Sequence, residues 1–291
     1  MQHVSGLDHV VILVRDLAGA EARLTRLGFR PTPRGVHSPH MGTANTTVLF
    51  GDGTYVEALG VLEPTDQNVA VRTVLAEREG PYGLAFKTDD AAAAAAEFAA
   101  AGIGPGVALD FARPVALPSG PREAAFRVAR TDPERTPGTW LFVCQHRTPE
   151  VTWRADFLDQ PNGASGVGEV AGMAGDLDAV AEAYSVIFGD RLHYDGERVA
   201  IAAGSARITF ARRADLAERF TPLHHEGCGP LGQEPGAAAP RLAALCLRTR
   251  SLERTQAVLS ANGVRHVTTP QGTLLVPPAE TCGTILEFVP S

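Results

Sequence analysis

The sequence predicts an α+β fold of four βαβββ units, paired into two open β-bowls. Three recurrences carry this prediction. A strand ending in a helix-capping residue, a helix closed by glycine, and a glycine turn opening a β-rich run each occur four times. The opening strands are Leu7 to Asp16, Tyr82 to Asp89, Glu169 to Asp176 and Ala244 to Ser251. Asp or Ser at each end can accept hydrogen bonds from the open amides of a following helix. Helical sequence then runs for about three turns, over Leu17 to Leu27, Asp90 to Ala101, Leu177 to Phe188 and Leu252 to Asn262. Gly28, Gly102, Gly189 and Gly263 close these helices. The last strands open at Gly53, Gly138, Gly204 and Gly283. Short β segments such as Thr46 to Phe50 and Arg198 to Ala202 fill the interval in between.

The turn-rich stretch Gln160 to Ala164 divides the chain into domains at residues 1–160 (units 7–60 and 80–147) and 161–291 (units 165–212 and 241–290). Unit two carries an insertion around Arg113 to Pro137, and Thr221 to Pro240 reads as a long surface loop. Units one and two are expected to pair, as are three and four. Pairing of unit one with unit four is the alternative.

With 44% hydrophobic and 20% charged residues, the composition is that of a globular protein. A net charge of −7 without a basic stripe argues against nucleic acid as a partner. Lys87 is the only lysine among 26 basic residues, a bias expected of a GC-rich bacterial genome. No apolar stretch reaches the ~20 residues of a membrane span, and no signal peptide is evident, so a cytoplasmic protein is expected. Cys144, Cys228, Cys246 and Cys282 lack metal-knuckle or disulfide spacing.

His9, Gly42-Thr43-Ala44-Asn45, Tyr55-Val56-Glu57, Cys144 to Glu150 and Pro161-Asn162-Gly163-Ala164 resemble a bacterial glyoxalase-like group of the vicinal-oxygen-chelate superfamily. Members often carry His before Pro-Asn-Gly-Ala, where this chain has Gln160. The resemblance implies paired βαβββ bowls. It also implies one of several chemistries, since the superfamily spans lyases, isomerases, dioxygenases and resistance proteins.

Superfamily metal sites take ligands from the first and last strands of each unit, which here implies His9 and Glu57. Alternation places Leu7, His9, Val11 and Leu13 on one strand face and Tyr55, Glu57 and Leu59 on one face of another. An ionised glutamate among apolar neighbours needs pairing or coordination. A buried His–Glu hydrogen bond that only orders the core is the plain alternative. The unit-two counterparts are Tyr82 and Phe142, neither of them a good ligand. His146 shares a face with Phe142 but lies about 13 Å further along an extended strand, and becomes a third ligand only if a bulge brings it inward.

His37 and His40 precede a strand and are candidates, with Glu57, for moving a proton. Thr43, Asn45, Tyr55, Phe142 and Arg127 are expected to contact substrate, and Arg113 or Arg122 could also grip a carboxylate. In the second half Glu169 and Glu287 hold the ligand positions, with Ala244 and Ile208 in the other two. Two carboxylates without imidazole suit a degenerate structural copy. His224-His225-Glu226-Gly227-Cys228 falls in the Pro/Gly-rich loop.

The expectation is a lyase or isomerase in which a divalent ion (Fe, Mn, Ni, Zn or Mg) contacts neighbouring oxygens of a small-molecule substrate. The protein is expected to be a monomer or homodimer. The rival readings are a metal-free binding or resistance protein and an Fe(II) dioxygenase.

Overall fold

Each unit folds as its caps and glycines dictate. The computed structural model describes residues 1–117, 120–225 and 239–291. Unit one comprises β1 (Leu7–Leu13), α1 (Leu17–Arg26), β2 (Gly35–Val36), β3 (Thr43–Leu49) and β4 (Tyr55–Val61). A helix that the sequence pattern did not announce, α2 (Val69–Glu77), leads to unit two: β5 (Gly80–Lys87), α3 (Ala91–Ala100), β6 (Ala108–Leu117), β7 (Gly120–Arg130) and β8 (Trp140–His146). After the single turn α4 (Pro149–Thr152), unit three holds β9 (Ala164–Met173), α5 (Leu177–Phe188), β10 (Leu192–Tyr194), β11 (Arg198–Ala203) and β12 (Ala206–Ala211). Helix α6 (Arg213–Arg219) follows, and the surface loop expected from Thr221 begins instead as α7 (Thr221–His225). Unit four is β13 (Arg241–Thr249), α8 (Leu252–Ala261), β14 (Val267–Thr268), β15 (Leu274–Val276) and β16 (Ile285–Pro290). Side chains of Asp176 and Ser251 cap their helices as expected, Asp90 caps α3 one residue beyond the expected Asp89, and Asp16 makes no side-chain cap bond.

Two eight-stranded sheets result, in the orders β2-β3-β4-β1-β5-β8-β7-β6 and β10-β11-β12-β9-β13-β16-β15-β14. Unit one therefore pairs with unit two, and three with four. The alternative of a site shared by units one and four is ruled out. In each sheet the two first strands meet antiparallel (β1 with β5, β9 with β13) and each pairs in parallel with the last strand of its own unit. Among the described residues no helix is long and apolar enough to cross a membrane.

Three apolar clusters follow from this layering. The largest joins the rear of both sheets to all four unit helices, with Val10 and Ile12 of β1, Phe98 of α3, Tyr184 of α5 and Leu259 of α8 in one continuous core. The two concave faces carry separate linings, one around Val11, Phe126 and Phe142 and one around Met173, Phe220 and Ile285. Strands sandwiched between core and concavity are covered on both faces, which explains why β1 is buried at all seven positions, Asp8 and His9 included.

The bowls differ at their rims. The unit-two insertion becomes the long hairpin β6–β7, which crosses the first bowl and approaches β2. Ser38 fastens this closure, its hydroxyl donating to the Ala112 carbonyl and accepting from the Ala112 amide, each at 3.1 Å. The matching strands β14 and β15 are only two and three residues long, so among the described residues no comparable hairpin lies over the second bowl.

Gly42 sets the entry into β3. It adopts φ 61°, and a Cβ there would lie 2.2 Å from the Glu63 carbonyl oxygen. Gly42→Ala should cost at least about 2 kcal/mol from the left-handed backbone and the clash together. A urea midpoint equal to that of the parent would refute this.

Candidate active site

The first bowl encloses a cavity of about 690 Å3, counted out to its open mouth. Aromatic and aliphatic side chains of β4, β7 and β8 line it together with polar groups, of which His9, His37, Glu57, Arg113 and Arg130 can carry charge. Strand register explains why His9 and Glu57 meet. In the parallel pair β1–β4, His9 aligns with Tyr55 and Val11 with Glu57. Both side chains point inward and are buried, at 3% and 7% exposure.

Their atoms form a chain of charge. His9 Nδ1 donates to Asp8 Oδ1 at 2.7 Å, and His9 Nε2 lies 3.3 Å from Glu57 Oε2. Asn45 Nδ2 donates to Glu57 Oε1 at 2.6 Å. The His9 ring stacks on Tyr55, centroids 4.2 Å apart. Burial alone would pull the His9 pKa down, but hydrogen bonds to Asp8 and Glu57 outweigh it and lift it to about 9. Burial alone would push Glu57 up, yet the His9 hydrogen bond and charge bring it to about 2. Asp8 is held well below the usual carboxylate range, because bonds from His146 and His9 overcome its burial. His37 is different. Its burial, aided by Arg113 and His9, drives its pKa to about 4, so it is a neutral imidazole at pH 7. His37 Nδ1 shares a 2.8 Å hydrogen bond with Thr43 Oγ1, and its Nε2 stands 4.0 Å from Glu57 Oε1.

A bulge accounts for Asp8. Register between β1 and β5 shifts between Leu7 and His9, so Asp8 is the extra residue. Leu7 consequently packs in the rear core and does not share the His9 face, contrary to simple alternation. The same bulge lets Asp8 accept from His146 Nε2 at 3.1 Å. His146 thus joins the network through Asp8 and not as a partner of Glu57, and it does not line the cavity. Among the described residues, only Asp8, Cys144 and His146 bring three potential ligand atoms within 4.8 Å of one another.

The remaining expected contacts divide cleanly. Thr43, Asn45, Tyr55 and Phe142 line the cavity. His40 does not; it sits exposed on a short turn outside. Arg127 is also outside, paired with Asp110 directly across the β6–β7 hairpin at 2.8 and 2.6 Å. Arg122 pairs with Glu150 on the surface. Arg113 does enter the cavity, and so does Arg130, which sequence reasoning passed over. The available signal was parity: both lie three residues from an outward-facing member of the Asp110–Arg127 pair, hence on the opposite face.

The sequence profile of the glyoxalase-like domain matches residues 7–188. The chain belongs to the glyoxalase-like domain family. Its bowls are those of the vicinal-oxygen-chelate superfamily, and solved structures share that fold. A hypothetical protein from Staphylococcus aureus superposes with TM-score 0.61 at 10% identity, covering 98% of this chain and 99% of that one. A 4-hydroxymandelate synthase mutant from Streptomyces coelicolor gives 0.59 at 17%, covering 98% and 92%. The Mn(II)-bound glyoxalase from Novosphingobium aromaticivorans gives 0.54 at 12%, covering 98% and 82%. No curated protein matches the chain.

Within this glyoxalase-like frame, register revises two unit counterparts. Asp90, not Asp89, caps α3, and Gly83 aligns with Trp140 as His9 does with Tyr55. The unit-two equivalent of His9 is therefore Gly83 and not Tyr82. In unit three, Glu169 aligns with Arg207, which makes Thr209 the counterpart of Glu57. Ile208 packs in the rear core. Glu169 and Glu287 do converge in the second bowl, but Arg219 of α6 fills the space between them. Its Nη1 lies 3.0 Å from Glu169 and its Nη2 2.7 Å from Glu287. That guanidinium takes the place a cation would occupy.

Gln160, the departure from the glyoxalase-like group, is remote from the cavity. Its Nε2 donates to the carbonyls of Leu49 and Phe157, and its Oε1 accepts from the Arg30 amide. The residue ties the inter-bowl connection to unit one, so the substitution leaves the cavity wall intact. Of the His224-to-Cys228 motif, His224 and His225 end α7, and Glu226, Gly227 and Cys228 lie outside the described residues.

Proposed function

We propose that the first bowl is the active site of a metal-assisted lyase or isomerase acting on a small oxygenated substrate. The observation that carries this reading is the facing pair of His9 Nε2 and Glu57 Oε2, 3.3 Å apart at the cavity wall. A neutral imidazole and a carboxylate this close are donors that would hold a divalent cation. Asp8 supports His9 from behind as carboxylates do for metal-ligating imidazoles. An ion held by His9 and Glu57 supplies Lewis acidity toward neighbouring substrate oxygens.

The chain's own groups do the rest. Asn45 occupies Glu57 Oε1 and thereby turns Oε2 toward His9. His37 is neutral, with Nδ1 engaged by Thr43, so its Nε2 is the base that takes a proton from substrate. Glu57, 4.0 Å away, steadies the imidazolium so formed. Phe111, Phe126 and Phe142 keep bulk water from the reacting groups.

Metal analysis of protein purified without chelator tests the proposal. About one equivalent of divalent metal per chain is expected. Less than about a tenth of an equivalent, with no uptake of added Fe, Mn, Ni or Zn, would leave the metal-free binding reading. Two observations favour that rival: Gly83 and Phe142 offer no ligands, and His9 is already held between the carboxylates of Asp8 and Glu57. A second imidazole, His37, stands 4.0 Å from Glu57 Oε1, so the residue types of a two-histidine, one-carboxylate iron site are present, although their donor atoms do not converge as those of Asp8, Cys144 and His146 do. Substrate-dependent oxygen uptake with Fe(II) would favour oxygenation over isomerisation.

A further inference from the structure

We infer that Arg113 is the anchor for a carboxylate on the substrate, and that the substrate pairs this acid group with an apolar body of aromatic size. The inference rests on the first bowl being the substrate site but does not require a metal. Arg113 lines the cavity and is only 6% exposed. Among the described residues it makes no hydrogen bond or ion pair, and its Nε is buried without a partner. A guanidinium in that condition carries a large desolvation cost that only an anion or ordered polar groups can offset.

Among the described residues the other cations of the site are better served: His9 lies between Asp8 and Glu57, and Arg130, whose Nε is also buried without a partner, still donates to Gln67 at 3.2 Å and lies over Trp140. Arg113 is held in place from below by Gly35, where a Cβ would lie 2.5 Å from its Cδ and 3.0 Å from Asn45 Oδ1. Asn45 Oδ1 is itself buried and unpartnered. The anchor therefore sits on the Glu57 side of the cavity, since Gly35 abuts both Arg113 and Asn45, and Asn45 donates to Glu57. Burial lowers the Arg113 pKa, with Tyr55 and Glu57 opposing, which agrees with a cation awaiting its counter-ion. The aromatic wall of Phe111, Phe126, Trp140 and Phe142 fits the apolar body.

The test uses the full chain after chelator treatment, titrated calorimetrically with phenylacetate and with its neutral isostere phenylacetamide. The parent protein is expected to prefer the acid by at least about tenfold. Arg113→Met should reduce the preference to near unity, whereas Arg122→Gln on the outer surface should keep it. Arg113→Met should also raise the melting temperature of the ligand-free protein by about 2 °C or more, which shows that it folds. Equal affinity for the two probes in the parent, no binding of either, or an undiminished preference in Arg113→Met would overturn the assignment. A preference that appears only with metal restored and survives Arg113→Met would place the carboxylate on the ion, sinking this inference while sparing the metal reading.

Discussion

Replacing His9 with glutamine is expected to lower divalent-metal affinity by at least about 100-fold, and Glu57→Gln by a similar factor. Both substitutions keep side-chain volume while removing a donor from the 3.3 Å pair. Cys144→Ser should change the affinity less than about threefold, because Cys144 is not in that pair and its thiol is held protonated. Burial, with Asp8 and Glu57 adding to it, pushes that thiol well above its ordinary range. The comparison separates two ligand sets that share one corner of the bowl. Binding that survives His9→Gln but collapses in Cys144→Ser would move the ion to Asp8, Cys144 and His146, whose donor atoms lie within 4.8 Å. Competition against a chromogenic chelator reads all three constants. Urea unfolding of the metal-free variants controls for the partner that Asp8 loses, a cost of about 1–3 kcal/mol.

Arg219→Met should destabilise the protein at pH 7 by about 3 kcal/mol, a fall in melting temperature of roughly 6 °C for a chain of this size. The lower end of the range for a broken buried pair applies because the Arg219 side chain is 33% exposed. Its loss leaves Glu169 and Glu287 facing each other, with Cys246 between them and Arg207 as the remaining cation on Glu169. The pH dependence has a definite sign. Burial raises the Glu169 pKa, but Arg219, Thr209 and Arg207 lower it from 4.5 to about 2. A depressed carboxylate contributes stability that is present above pH 4.5 and disappears as the pH falls toward 2. The gap between parent and variant should therefore be full at pH 7 and close on acidification through that window. A gap that stays constant from pH 7 to pH 3 would show that Arg219 acts by packing alone.

Sequence alone determined the repeat, and through it the architecture. Asp90, Asp176 and Ser251 cap helices because short oxygen-bearing side chains satisfy open amides within their own segment, and the four closing glycines act equally locally. The His9–Glu57 pair was legible for the same reason, since each residue sits at a fixed offset from a local signal. What tertiary structure decided was everything that depends on pairing across strands. The bulge at Asp8 moved Leu7 to the rear core and brought His146 to Asp8, and no local signal marks an extra residue in a strand. The β6–β7 register turned Arg127 outward to Asp110 and Arg113 inward, although both are arginines in one insertion. Likewise Arg219, remote from every repeat signal, reached the second bowl only because α6 packs over it. Local energies write helices and turns into consecutive residues. The site is written by contacts between residues far apart in the chain, and a shift of one residue reverses which face a side chain meets.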